Sequence, residues 1–316
     1  MTSPAGAVAW VFPGQGSQEV GCGADLYEAS PAARRVFQRA DAALGFALCE
    51  LCFHGPEDVL RQTVNTQPAV VAVSLACLEA SREAGLLATE PAFVAGHSLG
   101  EYTALVAAGA LDVEGGLRLV RERGRLTQMA DEERPGIMAA LLGLDEETAV
   151  ALCRETGARV CNLNAPGQIV IGGTLAAVES ALEVARQRGA RRAVRLNISG
   201  AFHTDLMTPA VKGMARALEE VELRDPQIPV LANGSACPLT TARQVRDELL
   251  YQLDHPVQWQ RSVEYMANAG VDTFVELGPS QVLTGLIRRI VPGARLLNID
   301  SMAAIEQASA SYGKAS

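Results

Sequence analysis

The fold is decided at Phe93-Val94-Ala95-Gly96-His97-Ser98-Leu99-Gly100-Glu101-Tyr102. Here an apolar run is followed by a helical pattern, and Gly-His-Ser-Leu-Gly lies between the two. Residues 92–95 predict a strand and residues 100–110 a helix. A serine between two glycines at such a junction is typical of a nucleophile elbow, which presents the hydroxyl at a helix N-terminus. Unpaired backbone N–H groups and the helix dipole stabilise a developing oxyanion there. The pattern predicts Ser98 as a nucleophile, and the alternative is a glycine-rich turn with an incidental serine.

A serine hydroxyl needs a base to become a nucleophile, and the chain contains four histidines. His203 follows a predicted strand and precedes a predicted helix, a junction that lies at the active-site edge of α/β folds. A helix N-terminus also disfavours a protonated imidazole, so His203 is the predicted base. The other three are expected at a surface loop, at the elbow and in a turn: His54, His97 and His255. The sequence does not indicate which acid would orient the imidazole of His203, because Asp205 is too near His203 in sequence and Glu101 only follows the elbow.

The rest of the chain alternates short apolar runs with helical patterns, for example a predicted helix at residues 25–44, which predicts helices packed on a mostly parallel sheet. A charged segment at residues 131–136 is suited to a linker. After it the pattern is β-α-β-β-α-β, with Asp145 and Thr174 as helix caps, which is the order of a ferredoxin-like unit. We therefore expect an α/β core at residues 1–130 and 198–316, an inserted subdomain at residues 131–197, and a frayed tail over the last dozen residues.

Composition narrows the class of protein. The 316 residues are 48% hydrophobic and 20% charged, which is ordinary for a globular chain, and the net charge of -9 argues against nucleic-acid binding. The apolar run at residues 69–78 is well short of the ~20 residues that span a bilayer. The first residues carry no basic segment, so no secretory signal is expected. Seven cysteines, an odd number in mostly apolar surroundings, fit a reducing cytoplasm.

Four short motifs follow one another in an order that is specific to one family. They are Phe12-Pro13-Gly14-Gln15-Gly16-Ser17-Gln18, Gly96-His97-Ser98-Leu99-Gly100-Glu101-Tyr102, Gly200-Ala201-Phe202-His203 and Pro256-Val257-Gln258-Trp259. Together they resemble the malonyl-CoA:acyl carrier protein transacylases, which include the acyltransferases of polyketide synthases. The resemblance covers residues 11–289. It implies an α/β-hydrolase-like core with an inserted ferredoxin-like subdomain, in agreement with the pattern above.

The resemblance implies a role for each matching residue. Ser98 would carry the acyl group, and His203 would act as base and then as acid. Gln15 and Leu99 would supply oxyanion-hole N–H groups, with His97 in support. Gln258 matches a position whose backbone carbonyl orients the histidine. Gln67 matches a glutamine near the nucleophile.

Substrate choice is implied by two further positions. Arg123 matches an arginine that binds the free carboxylate of malonate, a task for which a planar guanidinium is suited because it can pair bidentately. A neutral acyl chain would leave that cation without a partner. Phe202 accompanies malonyl choice in polyketide-type relatives, since its ring fills the space of an α-methyl group. The triplet Gly200-Ala201-Phe202 resembles that of free-standing polyketide acyltransferases more than that of fatty-acid enzymes.

The implied partners are malonyl-CoA and an acyl carrier protein, with coenzyme A as the only acyl carrier of the donor and no metal or other cofactor. Carrier proteins are typically acidic, so docking on a chain of charge -9 needs a local basic patch. The inserted subdomain offers five arginines within ten positions: Arg186, Arg188, Arg191, Arg192 and Arg195. A solvated helix and strand edge would explain the same five residues.

Two other functions share these motifs. An acyl hydrolase that clears carrier proteins would use the same Ser98 and His203 with water as the acceptor, although it would gain nothing from Arg123. A docking subunit with a relic site would need no catalysis, and the intact residues argue against it.

Overall fold

The computed structural model describes residues 6–198 and 200–312. The strands in this part of the chain are β1 (Ala7–Phe12), β2 (Phe93–Gly96), β3 (Ile137–Leu142), β4 (Arg159–Ala165), β5 (Gln168–Gly173), β6 (Arg192–Arg195), β7 (Val230–Leu231), β8 (Pro238–Leu239), β9 (Val271–Leu277) and β10 (Arg295–Ile299). They form two separate sheets, one of six strands and one of four.

Helices cover both sheets. They are α1 (Ala24–Ala29), α2 (Pro31–Leu44), α3 (Leu48–His54), α4 (Glu57–Leu60), α5 (Thr63–Glu83), α6 (Gly100–Ala107), α7 (Val113–Glu133), α8 (Glu146–Thr156), α9 (Leu175–Gln187), α10 (Thr208–Ala217), α11 (Ala242–Tyr251), α12 (Trp259–Asn268), α13 (Val282–Ile290) and α14 (Met302–Tyr312). A 3-10 turn, Asp205–Met207, precedes α10.

The six-stranded sheet has the order β10-β9-β1-β2-β7-β8, and within these described strands only β8 is antiparallel to its neighbour. Successive side chains of a strand point to opposite faces. In β1, Trp10 and Phe12 pack on the side of α2, α5 and α7, whereas Ala9 and Val11 pack on the side of α12 and α13. Both faces are therefore buried, as in other parallel sheets.

The four-stranded sheet has the order β4-β5-β3-β6 with every pair antiparallel, which confirms the ferredoxin-like subdomain. Ala139 and Leu141 of β3 pack against Leu152 and Leu182 of α8 and α9. The opposite face, which carries Met138 and Val170, borders the cleft described below. The fold is thus an α/β-hydrolase-like core with a parallel-rich sheet plus an inserted ferredoxin-like subdomain. The predicted domain boundaries stay predictions.

Three local predictions were wrong. The helix predicted over residues 25–44 is broken at Ser30, which caps α2 by accepting from the Ala33 N–H, and Pro31 then occupies the first turn. Residues 131–133 of the predicted linker belong to the last turn of α7. Most of the predicted frayed tail is α14, because Ile305 and Ala308 bury their side chains in the core; residues 313–316 lie outside the described residues.

Candidate active site

The chain turns sharply between β2 and α6, and Ser98 sits at that turn with φ of 52°. Left-handed backbone is costly for a residue with a Cβ, so the surrounding contacts must hold it. The two flanking glycines, Gly96 and Gly100, permit the close approach of their backbones to each other and to Phe12. A Cβ on Gly96 would lie 1.9 Å from the backbone of Gly100, and a Cβ on Gly100 would lie 2.1 Å from the carbonyl oxygen of Phe12. The predicted strand–elbow–helix arrangement is present.

Asn233 clamps the elbow from the segment that follows the neighbouring strand β7. Its Oδ1 accepts the backbone N–H of Ser98 at 2.7 Å, and its Nδ2 donates to the carbonyl oxygen of Gly96 at 2.8 Å. The side chain is buried, so both bonds are shielded from water. Asn233 therefore holds the strained turn on both sides of the nucleophile.

His203 reaches Ser98 from 105 positions away in the chain, with Nε2 at 2.7 Å from the serine Oγ. Its Nδ1 lies 2.6 Å from the backbone carbonyl oxygen of Gln252. A carbonyl oxygen can only accept, so Nδ1 carries the proton and Nε2 presents a lone pair to the Ser98 hydroxyl. The pair is thus arranged for proton abstraction from Ser98.

The electrostatic surroundings of His203 keep its imidazole neutral. Burial, together with the neighbouring Arg123 cation, lowers the pKa of His203 to about 3, and the hydrogen bond to Gln252 opposes this only in part. The imidazole is therefore neutral at physiological pH, as a general base must be.

The carbonyl contact predicted for Gln258 is wrong, because the backbone oxygen beside His203 belongs to Gln252. Gln258 instead directly precedes α12. Its backbone N–H donates to the carbonyl oxygen of Asn233 at 2.7 Å, and its side-chain oxygen accepts from Arg261. These two contacts fix the start of α12 rather than the orientation of the imidazole.

Arg123 of α7 is almost fully buried and points its guanidinium at the nucleophile. Its Nη2 donates to Ser98 Oγ and to Gln252 Oε1, both at 3.2 Å, and its Nη1 donates to Gln67 Oε1 at 3.0 Å. All three acceptors are uncharged, and Nε has no partner among the described residues. Burial lowers the pKa of Arg123, while the guanidinium packs over the ring of Tyr102. The site thus holds a desolvated cation with an unused donor, which is a suitable partner for a carboxylate.

Gln67 lies in α5, fully buried, and its Nε2 has no hydrogen-bond partner in the described part of the chain. Its Oε1 is occupied by Arg123, so the amide nitrogen is a second donor without an acceptor. Buried unpaired donors are costly and usually mark a place where a ligand or water completes the bonding.

The remaining predicted residues also lie around Ser98. Gln15 lines the cleft, and Leu99 follows the nucleophile at the start of α6. His97 lines the same cleft, with its Nε2 at 2.8 Å from Asn164 Oδ1, and burial lowers its pKa.

Phe202 packs with Met138 and other apolar side chains of the small sheet. The roles of these residues belong to the proposal below.

Two residues at the centre of the site were not predicted as part of it. Gln252 directly follows α11, and its contribution to His203 is a backbone carbonyl, which any residue type can provide. Asn233 likewise stands in no recognisable motif.

The two acids considered as orienting groups for His203 both have other partners. The Glu101 carboxylate accepts from the backbone N–H of Asn233 and from the side-chain amide of Gln252. Asp205 pairs with Arg134 and Arg159 at the surface. Neither acid orients the imidazole.

The cleft that contains these groups has a volume of about 360 Å³ and lies between the two sheets. One wall carries Gln15, Ser98 and Arg123, and the other carries Met138 and Val170. Among the described residues there is no group of three or more His, Cys, Asp or Glu side chains suited to a metal ion. The arrangement combines a serine hydroxyl, a neutral imidazole and a buried cation.

Three members of the arginine cluster are paired within the inserted subdomain. Arg186, Arg188 and Arg195 form ion pairs with Glu183, Glu155 and Glu179, all partly exposed. These pairs reduce the local excess of positive charge, and the docking role of the cluster stays a prediction. Within the described ranges, no helix combines the length and the apolar character needed to cross a membrane.

Comparison with known proteins agrees with this geometry. Residues 9–303 match the family described as acyl transferase domain. Malonyl CoA-acyl carrier protein transacylase of Bacillus subtilis strain 168 is 42% identical over 306 residues, which cover 95% of this chain and 96% of the relative. Polyketide biosynthesis protein ThaF of Burkholderia thailandensis is 43% identical over 90% of this chain, but the match covers only 24% of that relative.

Solved structures give the same result. Acyl-carrier-protein S-malonyltransferase from Bartonella henselae superimposes with a TM-score of 0.93 at 42% identity, covering 97% of this chain and 99% of the other. A malonyl-transacylase in complex with its type II polyketide synthase acyl carrier protein has a TM-score of 0.92 at 40% identity, covering 96% and 99% of the two chains.

The fold, the Ser98–His203 pair and the family match define an acyltransferase of the α/β-hydrolase-like class. At 42% identity over nearly the whole length of both chains, the chain belongs to the malonyl-CoA:acyl carrier protein transacylase family.

Proposed function

We propose that this chain moves a malonyl group from malonyl-CoA to the phosphopantetheine thiol of an acyl carrier protein through a malonyl-Ser98 intermediate. The observation that carries the proposal is the buried guanidinium of Arg123, whose Nη2 lies 3.2 Å from the Ser98 Oγ. A cation at that distance from the nucleophile can pair with the free carboxylate of a short dicarboxylic acyl group while its other end is attacked.

The first half-reaction loads the enzyme. His203 Nε2 removes the proton of the Ser98 hydroxyl as Oγ attacks the thioester carbonyl, and the backbone N–H groups of Gln15 and Leu99 receive the oxyanion. The carbon–sulfur bond then breaks, and the coenzyme A sulfur leaves with the proton from His203. The product is an ester on Ser98 whose free carboxylate pairs with Arg123.

The second half-reaction reverses these steps with a new thiol. The carrier's phosphopantetheine thiol gives its proton to His203 and attacks the ester carbonyl. When the bond to Oγ breaks, His203 returns the proton to Ser98, so the enzyme is regenerated and no net proton is consumed. Coenzyme A serves only as the carrier of the donor group.

The pathway stays a prediction. The relatives of this chain include a Bacillus subtilis transacylase and a polyketide biosynthesis protein, so resemblance alone is compatible with fatty acid and with polyketide synthesis. We favour polyketide synthesis because of the Gly200-Ala201-Phe202 triplet. Comparing transfer rates from the loaded enzyme to a fatty-acid carrier and to a polyketide carrier measures this preference.

The test of the function is the intact mass of the protein after brief mixing with malonyl-CoA, followed by addition of a carrier protein bearing phosphopantetheine. We expect one malonyl adduct, its loss when the carrier is added, and malonyl-carrier as product. Ser98→Ala should show neither adduct nor product, whereas Ser235→Ala, at an exposed serine outside the cleft, should behave as the parent. Equal transfer by Ser98→Ala would refute the proposal.

Release of free malonate from the loaded enzyme, faster than transfer to any carrier, would instead favour the hydrolase. Arg123 argues against that function, because a hydrolase that clears neutral acyl chains would leave a desolvated cation unpaired.

A further inference from the structure

The side chain of Gln252 links the functional groups through contacts that the mechanism above leaves unused. It is fully buried, and its amide makes three contacts. Oε1 accepts from Arg123 Nη2 at 3.2 Å, while Nε2 donates to the Ser98 carbonyl oxygen at 3.3 Å and to Glu101 Oε2 at 2.9 Å. The same residue accepts from His203 through its backbone oxygen, so its position affects the nucleophile, the base and the cation together.

An amide has two different ends, and only one orientation suits Arg123. The guanidinium offers only donors, so it needs the oxygen of Gln252 and is repelled by the NH2 group. Two acceptors on the other side of Gln252 decide which end faces Arg123. Glu101 Oε2 at 2.9 Å and the Ser98 carbonyl oxygen at 3.3 Å both take the amide nitrogen, with Glu101 at the shorter distance, and thereby turn the amide oxygen toward Arg123.

Glu101 is itself held in place through its second oxygen. The side chain is fully buried in the first turn of α6, and its second oxygen, Oε1, accepts the backbone N–H of Asn233 at 2.9 Å. A backbone N–H cannot reverse its polarity. Both neighbours of the carboxyl group are therefore donors, and both need an oxygen at residue 101.

From this chain of contacts we infer that Glu101 is a positioning residue for malonyl selection, which acts through the side-chain amide of Gln252 to aim Arg123 at the substrate carboxylate. The inference rests on the proposed malonyl transfer and adds a determinant of its acyl-group choice. The Glu101 carboxylate touches neither Ser98 Oγ nor His203 through any hydrogen bond among the described residues, so its effect should fall on the carboxylate-bearing substrate.

Glu101→Gln tests the inference with an almost unchanged side-chain shape. The new amide has one oxygen, which the backbone N–H of Asn233 requires, so its NH2 group faces Gln252. The Gln252 amide then has two arrangements, and both weaken its hold on Arg123. Its NH2 group either stays opposed to the new NH2 group, or the amide turns and places its oxygen beside the Ser98 carbonyl oxygen and its NH2 group beside Arg123. We expect kcat/KM for malonyl loading to fall about 10- to 100-fold, while acetyl loading falls less than about 3-fold.

A double-mutant cycle tests whether the effect passes through Gln252. Gln252→Met keeps the backbone carbonyl for His203 and removes the amide, so it should lower the malonyl-to-acetyl ratio in the same way. The double variant Glu101→Gln/Gln252→Met should be no worse than Gln252→Met alone, because the relay is already broken. Labelling of Ser98 by an uncharged fluorophosphonate should persist in all three, which shows that the dyad is intact.

The matched control is Glu83→Gln. The Glu83 carboxylate accepts the backbone N–H of Ala32 and the hydroxyl of Ser30, and none of these three residues lines the cleft, so its loss should leave the malonyl-to-acetyl ratio unchanged. An unchanged ratio in Glu101→Gln, with malonyl and acetyl loading reduced equally, would overturn the inference, as would additive effects in the double variant. If Glu101→Gln does not fold, an unchanged ratio in Gln252→Met overturns it instead. A parent protein that never loads malonate would refute the proposed function itself.

Discussion

The Nδ1 atom of His203 lies 2.6 Å from the backbone carbonyl oxygen of Gln252. In a Ser-His-Asp triad this position is taken by a carboxylate, whose negative charge stabilises the protonated imidazole. A carbonyl fixes the same tautomer but carries no full charge. Burial and the Arg123 cation therefore dominate, and they lower the pKa of His203 to about 3.

The lowered pKa of His203 predicts that Ser98 stays reactive at mildly acidic pH. A histidine with a lowered pKa stays neutral as pH falls through its ordinary value of 6.5 and becomes protonated only near 3, so Ser98 should keep its base in that window. We expect the rate of fluorophosphonate labelling of Ser98 to change less than about 3-fold between about pH 8 and about pH 5. A half-loss near pH 6.5, in protein shown by circular dichroism to be folded, would contradict this.

The lowered pKa of His203 also reduces the free energy of unfolding at acidic pH. Because the unfolded chain binds a proton at His203 near pH 6.5 and the native chain does not, the stabilising contribution is present above 6.5 and is lost as pH falls toward 3. Urea denaturation of the parent and of His203→Gln over that range of pH isolates this contribution, since the variant lacks the titrating group.

Arg123→Ala should abolish malonyl selection without abolishing acyl transfer. Removing the guanidinium leaves the substrate carboxylate unpaired in a buried cleft, so we expect malonyl loading to fall at least about 100-fold and the ratio of acetyl to malonyl loading to rise. The measurement is a competition between malonyl-CoA and acetyl-CoA for the covalent adduct. Arg118→Ala, at an exposed arginine on the same helix, is the matched control. Unaffected malonyl rates in Arg123→Ala would place the carboxylate site elsewhere.

Phe202→Ser should widen the acyl pocket. Phe202 lines the cleft and packs against the cluster of Met138, Cys161 and Val170, so removing its ring should open space for an α-methyl group. A methyl group is worth about 1–3 kcal/mol, so methylmalonyl loading should rise about 10- to 100-fold relative to malonyl. Loading from a mixture of the two donors gives the ratio. Phe93→Ser, which removes a ring that packs on Tyr265 away from the cleft, should leave that ratio unchanged.

Gly100→Ala should prevent the elbow from forming. A Cβ at this position would lie 2.1 Å from the carbonyl oxygen of Phe12, which is backbone and cannot move aside alone. We expect a loss of more than about 3 kcal/mol in unfolding free energy and no fluorophosphonate labelling. Gly285→Ala is the contrasting change, because its Cβ would meet nothing within 4 Å in the interior of α13. That variant should gain up to about 1 kcal/mol by helix propensity and keep full labelling. Chemical denaturation of both variants compares them directly.

Local patterns predicted the elements that depend on neighbouring residues. The glycines around Ser98 predicted the elbow because a sharp turn needs them at that spacing, and the helix caps Asp145 and Thr174 marked the two helices of the inserted subdomain. The wrong predictions at α2 and at α14 have different causes. Pro31 at the first turn of α2 was visible in the sequence, whereas α14 is helical because Ile305 and Ala308 find a buried site that only the folded chain provides.

The sequence by itself predicted the pairing of Ser98 with His203, which the structure places 2.7 Å apart, and the α/β architecture, because each of these depends on residue types at fixed spacings. The tertiary structure alone decided what surrounds them. Gln252 and Asn233 reach His203 and Ser98 from distant segments. Glu101 directly follows the elbow, but it meets Gln252 across 151 positions of the chain. Such contacts depend on which strands and helices meet in space rather than on any nearby sequence pattern.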